Sequence, residues 1–171
     1  MNQAHYHLVL NHLPIIFPLV GIILLLISIF FKSEAVKRSA YLIFIIGALS
    51  AIPAFSTGEG AEETVENIAG VSERLIHTHE EMAEIFATLA YILGGLSLLG
   101  IFFSLKAVKF SSVFSYLVLL FSLVVMFYAK QVGTTGGEIR HTEIRSGSAA
   151  LIQDGNGENI EGKDSDEKDE D

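Results

Sequence analysis

The 171-residue sequence predicts an all-α fold: an integral membrane four-helix bundle with a short extramembrane helix and a disordered acidic C-terminal tail. Three observations carry this expectation. Half the residues are hydrophobic and the mean hydropathy is +0.47, too apolar for a water-soluble domain of this length. The apolar residues fall into four runs, each long enough to cross about 30 Å of hydrocarbon. Charge is kept apart from them: residues 146–171 hold nine Asp/Glu and two Lys, so −7 of the net −9 lies there. The expected division is a transmembrane domain over 1–145 and a tail over 146–171.

The first run is Leu13 to Phe31, without a charge. No positive stretch precedes it and no small-residue cleavage site follows, so it reads as a retained span. Pro14 and Pro18 lack the N–H groups that would bond the carbonyls of Leu10 and Pro14, and a bend is expected there. Lys32 to Arg38 reads as a short basic turn, and a second span follows from about Ser39 to Phe55, with Pro53 near its end. Thr57-Gly-Glu-Gly60 reads as a break, and Ala61 to Ala69 as a short acidic helix stopped by Gly70. Ser72 is the expected N-cap of a third helix.

That third helix is the most informative. From Ser72 to Glu84 it is too charged to lie in lipid, so it starts above the membrane. Leu75, Ile76, His79, Ala83, Phe86 and Ala90 share one face by helical spacing, and Glu73, His77, Glu80 and Glu84 share another. His79 is therefore expected to face the bundle and His77 to face water. Ile85 to Leu105 crosses, with Gly94-Gly95 suited to close helix contact. Lys106-Ala-Val-Lys109 is a second basic turn, and the fourth span runs from about Phe110 to Ala129, with Lys130 snorkelling at its end. Gly133-Thr-Thr-Gly-Gly137 reads as a break, followed by Glu138-Ile-Arg-His141. The Gly/Ser/Asp/Glu-rich tail cannot bury a core.

Four spans put both termini on one side. The two turns carry five of the eleven Lys/Arg, which by the positive-inside rule places them in the cytoplasm. All six histidines then lie on the outer face, periplasmic in a bacterial inner membrane. The absence of cysteine excludes disulfides, thiolate metal sites and iron–sulfur clusters. No basic footprint for nucleic acid, nucleophile–base set, phosphate loop or metalloprotease motif is present, so the expected surroundings are the lipid bilayer and no nucleic acid.

Chemistry is thus expected among the histidines, because an imidazole at a membrane edge is costly without a partner or a task. His12 lies at the hydrocarbon edge beside the Pro14 kink, which would aim it inward. His7 lies one to two turns above it, and His141 follows the glycine break, which could fold it over the bundle mouth. Neutral imidazoles from different helices can ligate haem b axially, with Arg74, Arg140 and Arg145 at the level of its propionates. His12 and His79 are the preferred pair, with His7 and His141 as alternates. The function expected is electron transfer at the outer face, linked to a quinol or another redox partner. No single motif is specific for haem, and other readings stand beside it. Glu138 and His141 have the Glu-x-x-His spacing of a non-haem metal site. The chain could instead be a non-catalytic accessory subunit, or a small-solute or proton carrier using the histidines with Glu80 and Glu84. The plainest alternative is that the histidines bond backbone freed by the prolines and glycines, as favoured for exposed His5 and His77.

Taken in order, His7-x4-His12-x-Pro14, His79 at the mouth of span three, and Gly136-Gly137-Glu138 followed by Arg140-His141 resemble a bacterial membrane family catalogued as domain of unknown function family 2231. The resemblance covers roughly residues 5–141. It implies a four-helix inner-membrane protein with clustered histidines, of b-type cytochrome-like character. The chain departs from that pattern in a shorter spacing from Gly-Gly-Glu to Arg-His and a longer loop after span two. Both departures bear most on His141.

Overall fold

The computed structural model describes residues 2–66, 68 and 71–145, and the regular structure among them is all helical, without a strand. The tail and the expected stop at Gly70 lie outside the described residues. The helices are α1 (Gln3–Leu10), α2 (Leu13–Phe31), α3 (Glu34–Ser56), α4 (Gly58–Val65), α5 (Glu73–Leu105) and α6 (Ser111–Arg140), followed by a 3₁₀ turn, Thr142–Ile144. Four helical stretches are long and apolar enough to cross a membrane: Gln3–Phe31, Glu34–Val65, Glu73–Leu105 and Ser111–Arg140.

Each long helix packs on the next: α2 on α3, α3 on α5, α5 on α6. The bundle closes where α6 returns to α2, along a less extensive seam. Tyr41, Phe44, Leu25, Leu93, Val118 and Val125 fill the middle. The outside is apolar too, as with Phe30 at 80% and Leu120 at 66% exposure. Apolar surface on this scale is not stable facing water and suits lipid. Without a hydrophobic drive between helices in lipid, close approach over small residues holds them. A Cβ on Gly94 would stand 2.7 Å from that of Ala48, and one on Gly100 would stand 2.6 Å from Tyr41 Cζ. Gly95, by contrast, touches nothing.

At about 1.5 Å per residue, the 33 residues of α5 reach about 50 Å and outrun the hydrocarbon by about 20 Å. That length leaves room for its charged first turns to project beyond a hydrocarbon layer. Small α1 packs on α4 and on the end of α3, capping the same end of the bundle.

Three boundaries differ from the sequence reading. The basic turn after α2 is only Lys32-Ser33: Lys32 takes the left-handed conformation (φ 52°) and the Ser33 hydroxyl caps Val36 N. Lys37 and Arg38 therefore ride on α3. Thr57-Gly-Glu-Gly60 interrupts the helix only at Thr57, between α3 and α4, and α4 begins at Gly58 rather than at Ala61. Gly60 serves contact, since a Cβ there would meet Gln3 Cγ of α1 at 2.6 Å. Gly133–Gly137 is no break. Helix α6 runs through it to Arg140, and Arg145 closes that end by donating to the carbonyls of Glu138 (2.7 Å) and Ile139 (2.9 Å).

Candidate functional site

Two histidines meet at the capped end, and they are His7 and His79. Their ring centroids are 6.4 Å apart and their planes stand at 89°. His7 is carried by α1, which the Asn11–His12 turn tilts over the end of α3. There its Nδ1 lies 3.0 Å from the carbonyl oxygen of Ala54 and 3.3 Å from Thr57 Oγ1. A carbonyl only accepts, so Nδ1 bears the proton and Nε2 keeps the lone pair. His79 is carried by the projecting part of α5. Its Nδ1 lies 3.1 Å from Thr135 Oγ1 on α6. The single Thr135 hydroxyl hydrogen goes to the Val132 carbonyl at 3.2 Å, so this oxygen too accepts from Nδ1–H. Both rings therefore have the same tautomer, fixed by backbone or hydroxyl, and both offer Nε2. Gly136 sets how closely α6 approaches: a Cβ there would lie 2.9 Å from His79 Cε1.

The expected convergence of His12 with His79 is not found. His12 is exposed, and its Nδ1 lies 3.0 Å from the Leu8 carbonyl. That bond follows from the helix interruption at Asn11–His12, which frees backbone acceptors for side chains. His141 does not fold over the bundle mouth. Continuation of α6 carries it past the site, exposed, with Nδ1 2.9 Å from Glu143 Oε1. Arg140 is exposed as well, and Glu138 is half-buried. Among the described residues no group of three or more His, Asp or Glu is gathered as an ion would require, so Glu138 and His141 find no third ligand. His77 faces out, 3.6 Å from Glu81, as its spacing predicts.

Three further features surround the pair. One turn after His7 on α1, the side-chain oxygen of Asn11 is buried without a hydrogen-bond partner. One turn before His79 on α5, Leu75 lines a cavity of about 330 Å³ with Arg74, Glu138 and Arg145. The acidic helix α4 meets α5 through Glu62 and Glu80. Their shared hydrogen bond, with desolvation and the charges of Glu80 and Glu66, holds the Glu62 carboxyl above its ordinary value.

The sequence reading gives Thr57, Thr135 and Asn11 no part in the site. Thr135 was the recoverable one: on a continuous helix it lies one turn from Val132 and beside Gly136, on the face turned to α5.

Fold and site define a helical protein with four helices long and apolar enough to cross a membrane, and with paired imidazoles at one end. No protein-family model, curated protein or solved structure matches the chain.

Proposed function

We propose that the chain is a membrane electron-transfer module that holds one haem b at the histidine end, with His7 and His79 as axial ligands. The observation that carries this reading is the imidazole pair itself. With iron–nitrogen bonds of about 2 Å on each side, two axial rings have centroids roughly 6 Å apart. The pair here has 6.4 Å. Haem iron takes two protein ligands because the porphyrin supplies the other four. A non-haem ion takes three or four, and the described residues gather no such set. The donor set therefore suits haem better than a bare ion.

A bound haem would supply reversible one-electron chemistry. The protein's part is positioning. The Ala54 carbonyl and Thr57 fix the His7 ring, and Thr135 does the same for His79. Nδ1 bonds of this kind orient a ligating imidazole and raise its basicity. Arg74, beside the neighbouring cavity, offers a cation for a propionate. In this reading the histidine end faces the periplasm and the module lies in a bacterial inner membrane. It exchanges electrons with a quinol or a redox protein there. The ordered resemblance to domain of unknown function family 2231 points the same way.

The test is the reduced-minus-oxidised spectrum of detergent-purified protein expressed with haem precursor. Wild type should show a six-coordinate low-spin b-type spectrum. His7→Ala and His79→Ala should each abolish it, whereas His12→Ala and His77→Ala should retain it. A colourless wild type overturns the haem reading. Loss in His12→Ala with retention in His7→Ala keeps haem and overturns this choice of ligands.

A further inference from the structure

The opposite end of the bundle carries a second polar centre that the electron-transfer reading does not use. Lys37 is buried at 6% exposure, although its side chain is a cation. Its Nζ lies 2.6 Å from Glu34 Oε1 and donates to Ser111 Oγ at 3.5 Å. Glu34 is not free to neutralise Lys37 alone. Its second oxygen accepts from Ser104 Oγ at 2.7 Å, and Ser104 Oγ in turn accepts from Arg38 Nε at 2.7 Å. One carboxylate thus serves two cations.

Beside this network, where α2, α3 and α6 meet, lies a cavity of about 250 Å³. Lys37 and Glu34 line it from α3 and Lys32 from the cap of α2, with the hydroxyl-bearing residues Ser112 and Tyr116 contributed by α6. Two ammoniums against one carboxylate leave the lining positive, with rotatable hydroxyl donors beside them. A monoanion seated there would complete the charge balance of a cation that burial makes costly. Phosphate oxygens match this mixture of ammonium and hydroxyl donors.

The position of the cavity separates possible sources of that phosphate. It lies at the last turn of α2 and the first turns of α6, the depth at which spans of this length end. Ile29 and half-exposed Tyr116 also line it. From there the α2–α6 seam, the least extensive of the bundle, runs along two helices whose outer surfaces are apolar, as at exposed Leu26 and Phe30 of α2 and Val113 and Leu120 of α6. We propose that this end of the bundle binds an anionic phospholipid, with the phosphate between Lys32 and Lys37 and the acyl chains along the α2–α6 seam. Basic pockets between membrane helices recognise anionic headgroups by this combination.

The full-length protein in a neutral maltoside detergent is titrated with short-chain phosphatidylglycerol, with phosphatidylcholine of equal chain length, and with inorganic phosphate. The thermal unfolding midpoint is followed. Phosphatidylglycerol should raise the midpoint saturably and phosphatidylcholine should not. Lys32→Gln, which leaves the Glu34–Lys37–Ser104 network in place, should raise the half-saturating concentration about fivefold, as expected for one lysine. Ser115→Leu, which puts bulk into the cavity, should remove the saturable effect. Lys130→Gln, at the other end, should behave as wild type. Equal stabilisation by both lipids, or unaltered titration in Lys32→Gln, overturns the proposal. Inorganic phosphate matching phosphatidylglycerol would assign the cavity to a free anion and overturn the lipid as its occupant.

Discussion

Gly136 leaves the His79 ring no space for a methyl group on α6. A Cβ there would meet Cε1 at 2.9 Å and Nδ1 at 3.3 Å, so Gly136→Ala must push the ring away from Thr135. The expected cost is that of overpacking, about 1–3 kcal/mol, seen as a lower unfolding midpoint. Gly133, one turn earlier on the same helix, touches nothing within 4 Å. Gly133→Ala should therefore be neutral or stabilising by about 0.5–1 kcal/mol, because it only stiffens the unfolded chain. Equal midpoints for the two variants would show that the contact with His79 does not constrain α6. At this scale the sequence was partly legible. The inward direction of His79 follows from its spacing with Leu75, Ala83 and Phe86 on one unbroken helix, where angle is additive along the chain. The choice between His7 and His12 was not legible. It depends on how α1 packs on α4 and α3 beyond the Asn11–His12 turn, including Gln3 against Gly60. Spacing along a chain carries no rotation across such a break.

Glycine-rich stretches misled the reading of elements for a related reason. Thr57–Gly60 does interrupt the helix, but only at Thr57, and Gly133–Gly137 does not interrupt it at all; at Gly60 and Gly136 a neighbouring element comes close enough to make the missing side chain an asset. Propensity is a weak prior against such packing. The apolar runs, which packing does not reinterpret, were placed well: α2 has the expected bounds, Leu13–Phe31, and α5 begins after Ser72 as expected. Helix α4 also carries a pH dependence. The carboxyl of Glu62 is raised, chiefly by the hydrogen bond shared with Glu80, so the folded state holds a proton that the unfolded chain would release. A raised pKa contributes stability that is present below the ordinary carboxylate value and is lost as pH rises through the folded-state value. Docking of α4 on α5 should therefore loosen on going from acid to neutral pH. Amide hydrogen exchange over 58–65, corrected for its intrinsic pH dependence, should show protection falling across that window in wild type. In Glu62→Gln, which keeps a donor for Glu80 and no titrating group, protection should vary less. An equal fall in both proteins would assign the effect to other groups.

The two ends of the bundle differ in how their charges are placed, and they make different demands on the membrane. Lys32, Lys37, Arg38, Lys106 and Lys109 cluster at the two short turns, whereas Arg74, Lys130, Arg140 and Arg145 are spread over longer segments at the histidine end. Lys37 and Arg38 count at the turns even though α3 carries them, because they lie in its first two turns. The orienting bias acts through Lys and Arg close to the spans in short loops, and acidic residues such as Glu34 contribute little to it. Five cations at the two short turns should therefore hold that end in the cytoplasm and leave His7 and His79 outside, the side that the electron-transfer proposal requires. The lack of cysteine makes the test direct, since each variant then carries one thiol. His5→Cys places it on exposed α1, and Val108→Cys places it in the second turn without altering any cation. An impermeant maleimide applied to intact cells with a permeable outer membrane should label position 5 and spare position 108. Both should label once the cells are lysed. Labelling of 108 with protection of 5 would invert the bundle. The histidine pair would then face the cytoplasm, and the cavity at Lys32 and Lys37 would meet the outer leaflet.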